Sequence, residues 1–223
     1  QARWLTLKEQ EFLRSRLVDE ELKKAETGHV SHKVWDVFVS PRVWLCCAIY
    51  LGAVVGLYGT SFWLPQIIKD NLTQDDWMVG LYSAFPWAIA ALGMILVSRS
   101  SDRKAERRWH VGLSALVAGV AFAASGIPGL PPLLLLGLLA VAITGVMSAI
   151  ACFWALPTAM LSGTAAAAGI AWINSVGNLA GYLSPEMIGW LKVHHGMGAA
   201  LCAVALILAS SGLLVIFGTR HFD

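Results

Sequence analysis

The sequence has 223 residues, of which 57% are apolar and 13% are charged, and its net charge is +2. About one-quarter of the residues of a soluble globular domain are charged, so this composition argues against that class. The small net charge gives no reason to expect a nucleic-acid partner. Apolar runs of about twenty residues, the length of a membrane-crossing helix, recur along the chain. We therefore predict an all-α, polytopic membrane protein.

Residues 1–41 are polar and are predicted to form a segment of their own. In "TLKE", Thr6 and Glu9 match a capping box, in which the first residue caps a helix and the second reaches back to it. We expect the helix to run to about Thr27 and to be ended by Gly28, a residue type typical of the position after a helix. The segment contains few apolar residues, which predicts a water-exposed connector.

Residues 42–223 are predicted to form a bundle of transmembrane helices. The apolar segments number six, at 43–67, 78–98, 109–127, 132–154, 165–190 and 197–218. An uncharged stretch joins the fourth to the fifth, so hydropathy defines that boundary least sharply. The cysteines lie inside these segments without the spacing of a zinc site, and we interpret them as small buried hydrophobic residues: Cys46, Cys47, Cys152 and Cys202.

Lysines and arginines are distributed unevenly between the two ends of the predicted helices. The N-terminal segment carries eight, the second-to-third loop five and the C-terminal tail one, and all of these fall on one side. The opposite side has Lys69 and Lys192. Because cytoplasmic loops are enriched in positive residues, both ends of the chain are predicted to be cytoplasmic, in agreement with six crossings.

The second-to-third loop, "SDRKAERRWH" at 101–110, has two interpretations. Arg103, Arg107 and Arg108 could serve only to fix the topology of the chain. Alternatively, Asp102 pairs with arginines, or caps a neighbouring helix N-terminus, in one conformational state only. The loop would then act as a gate, and the sequence leaves both interpretations open.

This Asp-Arg loop with a following arginine pair resembles the loop signature of the major facilitator superfamily. Together with "YGTSFWLPQIIK" (58–69) and "FWALPTAMLSGTAAAAGIAWINSVGNLAGYLSP" (153–185), it is similar to the C-terminal half of the anion:cation symporter family, and within it to bacterial tartrate, sugar-acid and hydroxyphenylacetate permeases. "RWLTLKEQEFLRSRL" resembles the central cytoplasmic loop of these proteins. The resemblance covers nearly the whole chain, and it points to the family but not to one substrate.

The resemblance implies a twelve-helix transporter of the bacterial inner membrane, of which this chain supplies the C-terminal bundle of six transmembrane helices. It implies proton symport of a small organic anion by alternating access around a site at the membrane midplane, with no cofactor besides the coupling proton. In this family the N-terminal half contains the arginine that binds the substrate carboxylate. It also contains the acidic residues that carry the coupling proton. The chain is therefore expected to be a fragment, or one half of a split transporter.

The stretch "GIAWINSVGNLAGYLSPEMIGW" carries two amides in an otherwise apolar run. At about 100° per residue, Asn174, Asn178, Gly177 and Gly181 share one helix face. Glycines four apart allow close helix approach, and membrane amides face the bundle or a cavity because an unpaired amide in lipid is costly. The asparagines either join helices or bind substrate oxygens, and the family pattern favours substrate binding for Asn174.

Two aromatic residues are further candidates for the substrate site. Tyr58 lies in the first apolar segment and Trp154 follows Phe153 at the end of the fourth, and in the family these positions tend to face the central cavity. A phenol or an indole can donate a hydrogen bond to a carboxylate. Ordinary packing or an interfacial aromatic belt is the alternative. Tyr50 and Tyr82 are weaker candidates.

Glu186 lies about 120° from Asn174 on the helical wheel and is therefore not predicted to share its site. An intramembrane carboxylate is a candidate proton carrier, but the family more often has an apolar or aromatic residue here, so we expect an interface-exposed carboxylate near Lys192. His194 and His195 lack a carboxylate or cysteine partner, which predicts loop residues and no metal site.

Two other classes of function compete with transport. An intramembrane serine protease needs a nucleophile and a base, but Ser162 lacks the upstream glycine of such motifs and every histidine lies outside the apolar segments, so we expect no enzyme. A truncated membrane protein that binds a partner through the surface left by the absent half is the remaining alternative. Solute uptake would distinguish it from a transporter.

Overall fold

The computed structural model describes residues 6–26, 34–161 and 163–220, so that Thr27, Gly28 and Ser162, named above, lie outside the described residues. Within these ranges the chain is helical apart from short connections and no residue lies in a strand, as the all-α prediction requires. The helices in chain order are α1 (Leu7–Glu26), α2 (Val34–Val39), α3 (Pro41–Asn71), α4 (Asp76–Lys104), α5 (Arg108–Ser125), α6 (Pro132–Phe153), α7 (Ala155–Met160), α8 (Gly163–Asn178), α9 (Ala180–His195) and α10 (Met197–Gly218).

Helix α1 begins as the sequence predicts. The Thr6 N–H donates to Glu9 Oε2 at 2.8 Å and the Glu9 N–H donates to Thr6 Oγ1 at 3.4 Å, which is the reciprocal pairing of a capping box. The hydrogen bonds from the Thr6 hydroxyl and N–H also lower the pKa of the Glu9 carboxyl. The described part of the helix reaches Glu26, and its expected end at Thr27 and Gly28 lies outside the described residues.

Four helical stretches are long and apolar enough to cross a membrane: α3, α4, α10 and the stretch Pro132–Met160 that joins α6 to α7. Helix α5 has 18 residues and includes Arg108 and His110, and α8 and α9 have 16 residues each. The described residues therefore give four membrane-crossing helices by length and composition, where the sequence has six apolar segments.

The fifth apolar segment, expected to be continuous over 165–190, consists of two helices that meet at Leu179. Here the Leu179 N–H bonds to the carbonyl of Val176, three residues back, and the side chain of Asn178 donates to the carbonyl of Asn174. Asparagine side chains compete with the main chain for such carbonyls, and bonding to the third residue back is the tighter 3₁₀ pattern. The regular α-helical hydrogen-bond pattern is therefore interrupted next to the two asparagines.

Helix α3 is central to the packing, because it contacts α6, α8, α9 and α10. Helix α5 packs against α6 and α10, and it approaches α10 closely at Gly119, where a Cβ atom would lie 2.9 Å from the carbonyl oxygen of Ala205. Helix α4 packs mainly against α6, and 17% of its apolar window is buried, compared with 67% for α3. Much of the surface of α4, including Leu81 and Phe85, is therefore uncovered.

Helix α2 lies in the segment predicted to be a water-exposed connector, yet it packs on the bundle. Val37 is fully buried, and the ring of Phe38 meets Trp172 of α8 edge-on at 5.1 Å. Trp44 of α3 donates its indole N–H to the Phe38 carbonyl oxygen at 2.8 Å. These apolar contacts hold α2 against the bundle despite its polar sequence neighbours, and the domain boundary after residue 41 stays a prediction.

The cysteines divide into two groups. Cys46, Cys47 and Cys152 are unpaired and buried, as predicted, whereas Cys202 is exposed on α10, which corrects the prediction for that residue. A membrane helix is apolar on all sides, so hydropathy alone does not distinguish the face that packs on the bundle from the face that meets lipid.

Candidate substrate site

Helices α3 and α8 meet at a hydrogen bond between two of the candidate residues. The hydroxyl of Tyr58 donates to Asn178 Oδ1 at 2.9 Å and so joins positions 120 residues apart in the sequence. The bond fixes the register of α3 against α8 at the point where α8 ends.

Asn178 also bonds back to the preceding turn of its own helix. Its Nδ2 donates to the main-chain oxygen of Asn174 at 2.8 Å and to Asn174 Oδ1 at 3.0 Å. The two amides that the helical wheel placed on one face are therefore in direct contact. Tyr58, Asn178 and Asn174 form a continuous chain of hydrogen bonds.

Tyr50, one of the weaker sequence candidates, completes this group. Its hydroxyl donates to Asn174 Oδ1 at 3.4 Å. Its ring stacks on Phe153 with centroids 5.1 Å apart and meets the ring of Trp154 at 4.8 Å and an interplanar angle of 61°. The structure thus gathers what we call the amide–aromatic cluster, defined as Tyr50, Tyr58, Trp154, Asn174 and Asn178.

The glycines predicted on the asparagine face lie directly under the two tyrosines. A Cβ atom at Gly177 would stand 2.2 Å from Tyr50 Cδ1, and one at Gly181 would stand 3.3 Å from Tyr58 Cε2. These glycines therefore make room for aromatic rings of α3, and their expected role in close helix approach stays a prediction. Each tyrosine occupies the space that a side chain would otherwise fill.

The cluster is uncharged and partly open. Asn174 and Asn178 are exposed on the surface of the described bundle, Tyr58 and Trp154 are half-buried, and Tyr50 is buried. Exposure of two amides in an apolar helix pair is costly against lipid, so this surface requires water or protein opposite it. Tyr82, the other weak candidate, lies on α4 in an apolar groove and is not part of the cluster.

The structure brings Asp102 and Arg107 of the proposed gating loop together. The guanidinium of Arg107 forms an ion pair with Asp102 and also donates to Ser101 Oγ at 3.0 Å. Arg103 is exposed in the last turn of α4, and Arg108 is the first residue of α5. The pairing of Asp102 links the end of α4 to the start of α5.

Sequence reasoning missed a second link in this loop, formed by Glu106 and His110. Glu106 Oε1 accepts a hydrogen bond from the Trp109 N–H at 2.6 Å, and Glu106 Oε2 lies 2.7 Å from His110 Nδ1. The other ring nitrogen of His110, Nε2, lies 3.1 Å from Ser100 Oγ of α4. Burial alone would raise the pKa of Glu106, but the bonds from Trp109 and His110 outweigh it and lower that pKa. The four-residue spacing of Glu106 and His110 could have predicted this contact from the sequence, because side chains four residues apart on a helix are neighbours.

The polar residues at the opposite end of the bundle include an ion pair that the sequence did not predict, in which Lys192 binds Asp70 of α3 at 3.0 Å. Glu186 is exposed, as predicted, and its expected position near Lys192 stays a prediction. The His194 ring stacks on Trp190 with centroids 4.5 Å apart. Within the part of the chain that the structure describes, no cluster of three metal-ligating side chains is found.

These features are those of a helical membrane protein with a polar cluster between its helices. Residues 4–185 match the sequence profile of the Major Facilitator Superfamily, and the chain therefore belongs to this family. The resemblance recognised in the sequence is confirmed.

Several similar proteins are named as transporters. A protein of Agrobacterium vitis named for tartrate transport is 39% identical over 98% of this chain and 48% of its own length. A protein of Acinetobacter baumannii named as a quinolone resistance transporter is 35% identical over 96% of this chain and 49% of its own length, and the inner membrane transport protein RhmT of Escherichia coli strain K12 is 34% identical over 99% and 50%. The chain spans about half the length of these relatives, which are transporters and not enzymes.

Proposed function

We propose that this chain acts as the C-terminal six-helix half of a twelve-helix, proton-coupled symporter of the bacterial inner membrane. Its crossings would be α3, α4, α5, α6 with α7, α8 with α9, and α10. The transported solute is a small organic anion such as tartrate, a sugar acid or an aromatic acid. Transport proceeds by alternating access, without breaking a bond in the solute.

The amide–aromatic cluster is the observation that carries this proposal. Asn174 and Asn178 lie exposed at a helix break, and transporter sites are typically built at such interrupted helices near the membrane midplane. Amide and indole N–H groups donate hydrogen bonds to carboxylate and hydroxyl oxygens. The cluster holds no cation, in keeping with a second half that supplies the arginine for the carboxylate.

We propose that a second half covers part of the exposed surface of α4. Leu81, Phe85 and Leu92 are exposed along this helix, although it is one of the four long apolar helices. The asparagine face of α8 is exposed as well. A partner half that covers both surfaces would enclose a cavity over the amide–aromatic cluster.

The loop between α4 and α5 is proposed as a gate on the cytoplasmic side. The Asp102–Arg107 ion pair ties the end of α4 to the start of α5, and the contact of His110 with Ser100 ties α5 to α4 directly. Positive residues concentrate at this end of the bundle, which supports a cytoplasmic location. Rocking of the two halves would make and break the contacts of this loop.

Uptake kinetics of the intact protein in liposomes test the proposal. With radiolabelled tartrate, a sugar acid and an aromatic acid as probes, at least one is expected to accumulate under an inward proton gradient and not after a protonophore is added. Failure of all three probes would favour the non-transporting alternative, and uptake insensitive to the protonophore would contradict symport.

Asn174→Ala tests the site itself. Loss of one hydrogen bond to a charged ligand is worth about 1.5–3 kcal/mol, so KM is expected to rise roughly tenfold to a hundredfold, with normal amounts of protein in the membrane. Ser175→Ala is the matched control, because Ser175 is an exposed neighbour that lies outside the cluster. Unchanged kinetics in Asn174→Ala would remove Asn174 from the site.

A further inference from the structure

The hydrogen bonds of Asn178 leave it little capacity to bind a ligand. An asparagine amide has two N–H donors and one oxygen with two lone pairs. Both donors of Asn178 are used, at the Asn174 main-chain oxygen (2.8 Å) and at Asn174 Oδ1 (3.0 Å), and its own oxygen accepts from Tyr58 at 2.9 Å. Its amide is therefore engaged at both ends within the protein.

The same bonds determine which way the amide of Asn178 is turned. A main-chain carbonyl accepts but never donates, so the group that faces the Asn174 carbonyl has to be the Asn178 nitrogen. The Asn178 oxygen then faces Tyr58, whose hydroxyl donates to it. A flipped amide would set oxygen against oxygen at Asn174 and leave the phenol to accept instead of donate.

Asn174 is oriented in turn by Asn178. Its Oδ1 accepts from Asn178 Nδ2 at 3.0 Å and from the Tyr50 hydroxyl at 3.4 Å. Among the described residues, nothing accepts from Asn174 Nδ2, and nothing accepts from the indole N–H of half-buried Trp154. The N–H donors of the cluster that remain unengaged are therefore those of Asn174 and Trp154, whereas each of its side-chain oxygens already takes part in a hydrogen bond within the protein.

We infer that Asn178 and Tyr58 are positioning residues, which hold the Asn174 amide with its nitrogen free, so that this half of the transporter offers hydrogen-bond donors and selects solutes by their acceptor atoms. The inference rests on the proposed function and changes the role first assigned to Asn178 and Tyr58. Carboxylate and other oxygens that carry no hydrogen fit such a surface. Solutes that present N–H groups at the same place do not.

A double-mutant cycle on the intact protein tests this assignment, with tartrate as the transported probe and neutral tartaric diamide as the competitor. Asn178→Ala is expected to raise the KM for tartrate about tenfold, with the maximal rate unchanged, and to reduce discrimination against the diamide, because Asn174 is then free to flip. In the Asn174→Ala background, the same change is expected to alter KM by no more than about twofold. Additive effects of the two substitutions would mean that Asn178 contacts the solute itself and would overturn the inference.

Tyr58→Phe provides a second variant that keeps the ring over Gly181 and removes the hydroxyl. It is expected to weaken discrimination between tartrate and the diamide in the wild-type background and to have no effect in Asn174→Ala. Unchanged discrimination in both Asn178→Ala and Tyr58→Phe would overturn the inference. An inert Asn174→Ala would instead refute the proposed substrate site, so the two failures are distinguishable.

Discussion

Substitution of Gly177 by alanine is a sharp test of how α8 packs on α3. The new Cβ atom would lie 2.2 Å from Tyr50 Cδ1 and 2.7 Å from Tyr50 Cε1. Carbon atoms in optimal contact are about 3.5 Å apart or more, so the ring or the helix has to move by roughly 1.3 Å. No flexible side-chain end is available to absorb this shift, because the obstacle is an aromatic ring.

The Tyr50 ring has little room to move aside. It stacks on Phe153, which is 1% exposed, and it meets Trp154 at 4.8 Å. Overpacking of this kind costs typically 1–3 kcal/mol. We expect Gly177→Ala to lower the thermal unfolding midpoint of the intact protein and to raise the KM for uptake, because Tyr50 also bonds Asn174.

Two other glycines provide matched controls for this experiment. A Cβ atom at Gly80 of α4 meets nothing within 4 Å, and one at Gly181 meets Tyr58 at 3.3 Å. Gly80→Ala should be neutral or slightly stabilising, since alanine favours helix by up to about 1 kcal/mol over glycine. Gly181→Ala should fall between the two. A Gly177→Ala protein as stable and active as Gly80→Ala would refute the described contact between α8 and α3.

Two predictions concern the loop between α4 and α5. Ala105 has a positive φ of 49°, a conformation that costs a non-glycine residue roughly 1–2 kcal/mol, so Ala105→Gly should raise the unfolding midpoint; a lower midpoint would contradict the left-handed backbone. Glu106→Gln should cost about 1 kcal/mol near neutral pH, because hydrogen bonds to a charged group are the stronger ones. The pKa of Glu106 is lowered in the folded protein, so its stabilisation is present above the unfolded-state value of 4.5 and is lost as pH falls through the folded-state value. The variant and the wild type should therefore converge in acid, and a pH-independent difference would refute the role of the carboxylate.

Local features of the fold were predictable from the sequence, because their causes lie within a few residues. The capping box of Thr6 and Glu9 and the shared face of Asn174 and Asn178 follow from helical spacing alone. The helix break at Leu179 did not follow, because apolar composition gives no sign that an asparagine side chain will take a main-chain carbonyl. The same limit applies to Cys202, whose helix is apolar on every side.

Contacts between distant segments account for what the sequence missed in the site. Tyr50 and Asn174 are 124 positions apart, and Lys192 and Asp70 are 122 apart. Their pairing depends on the register of α3 against α8 and α9, which no local pattern encodes. The family resemblance pointed to Tyr58, Trp154 and Asn174 as candidates, and the helical wheel added Asn178. Only the structure shows which of these residues donates a hydrogen bond to which. The proposed distinction between positioning and binding residues depends on that information.

The most direct test of the account is whether Asn174 faces a water-filled solute cavity. Asn174→Cys would be made in the intact protein with Cys202 replaced by serine, and treated in membranes with a charged, water-soluble thiol reagent. Leu206→Cys in the same background is the control, since Leu206 is 70% exposed on the apolar surface of α10. We predict that the cysteine at 174 reacts, that a transported anion protects it, and that the cysteine at 206 stays unmodified. An unreactive cysteine at 174, or one that reacts without protection by any transported anion, would contradict the central claim that the amide–aromatic cluster lines the substrate path.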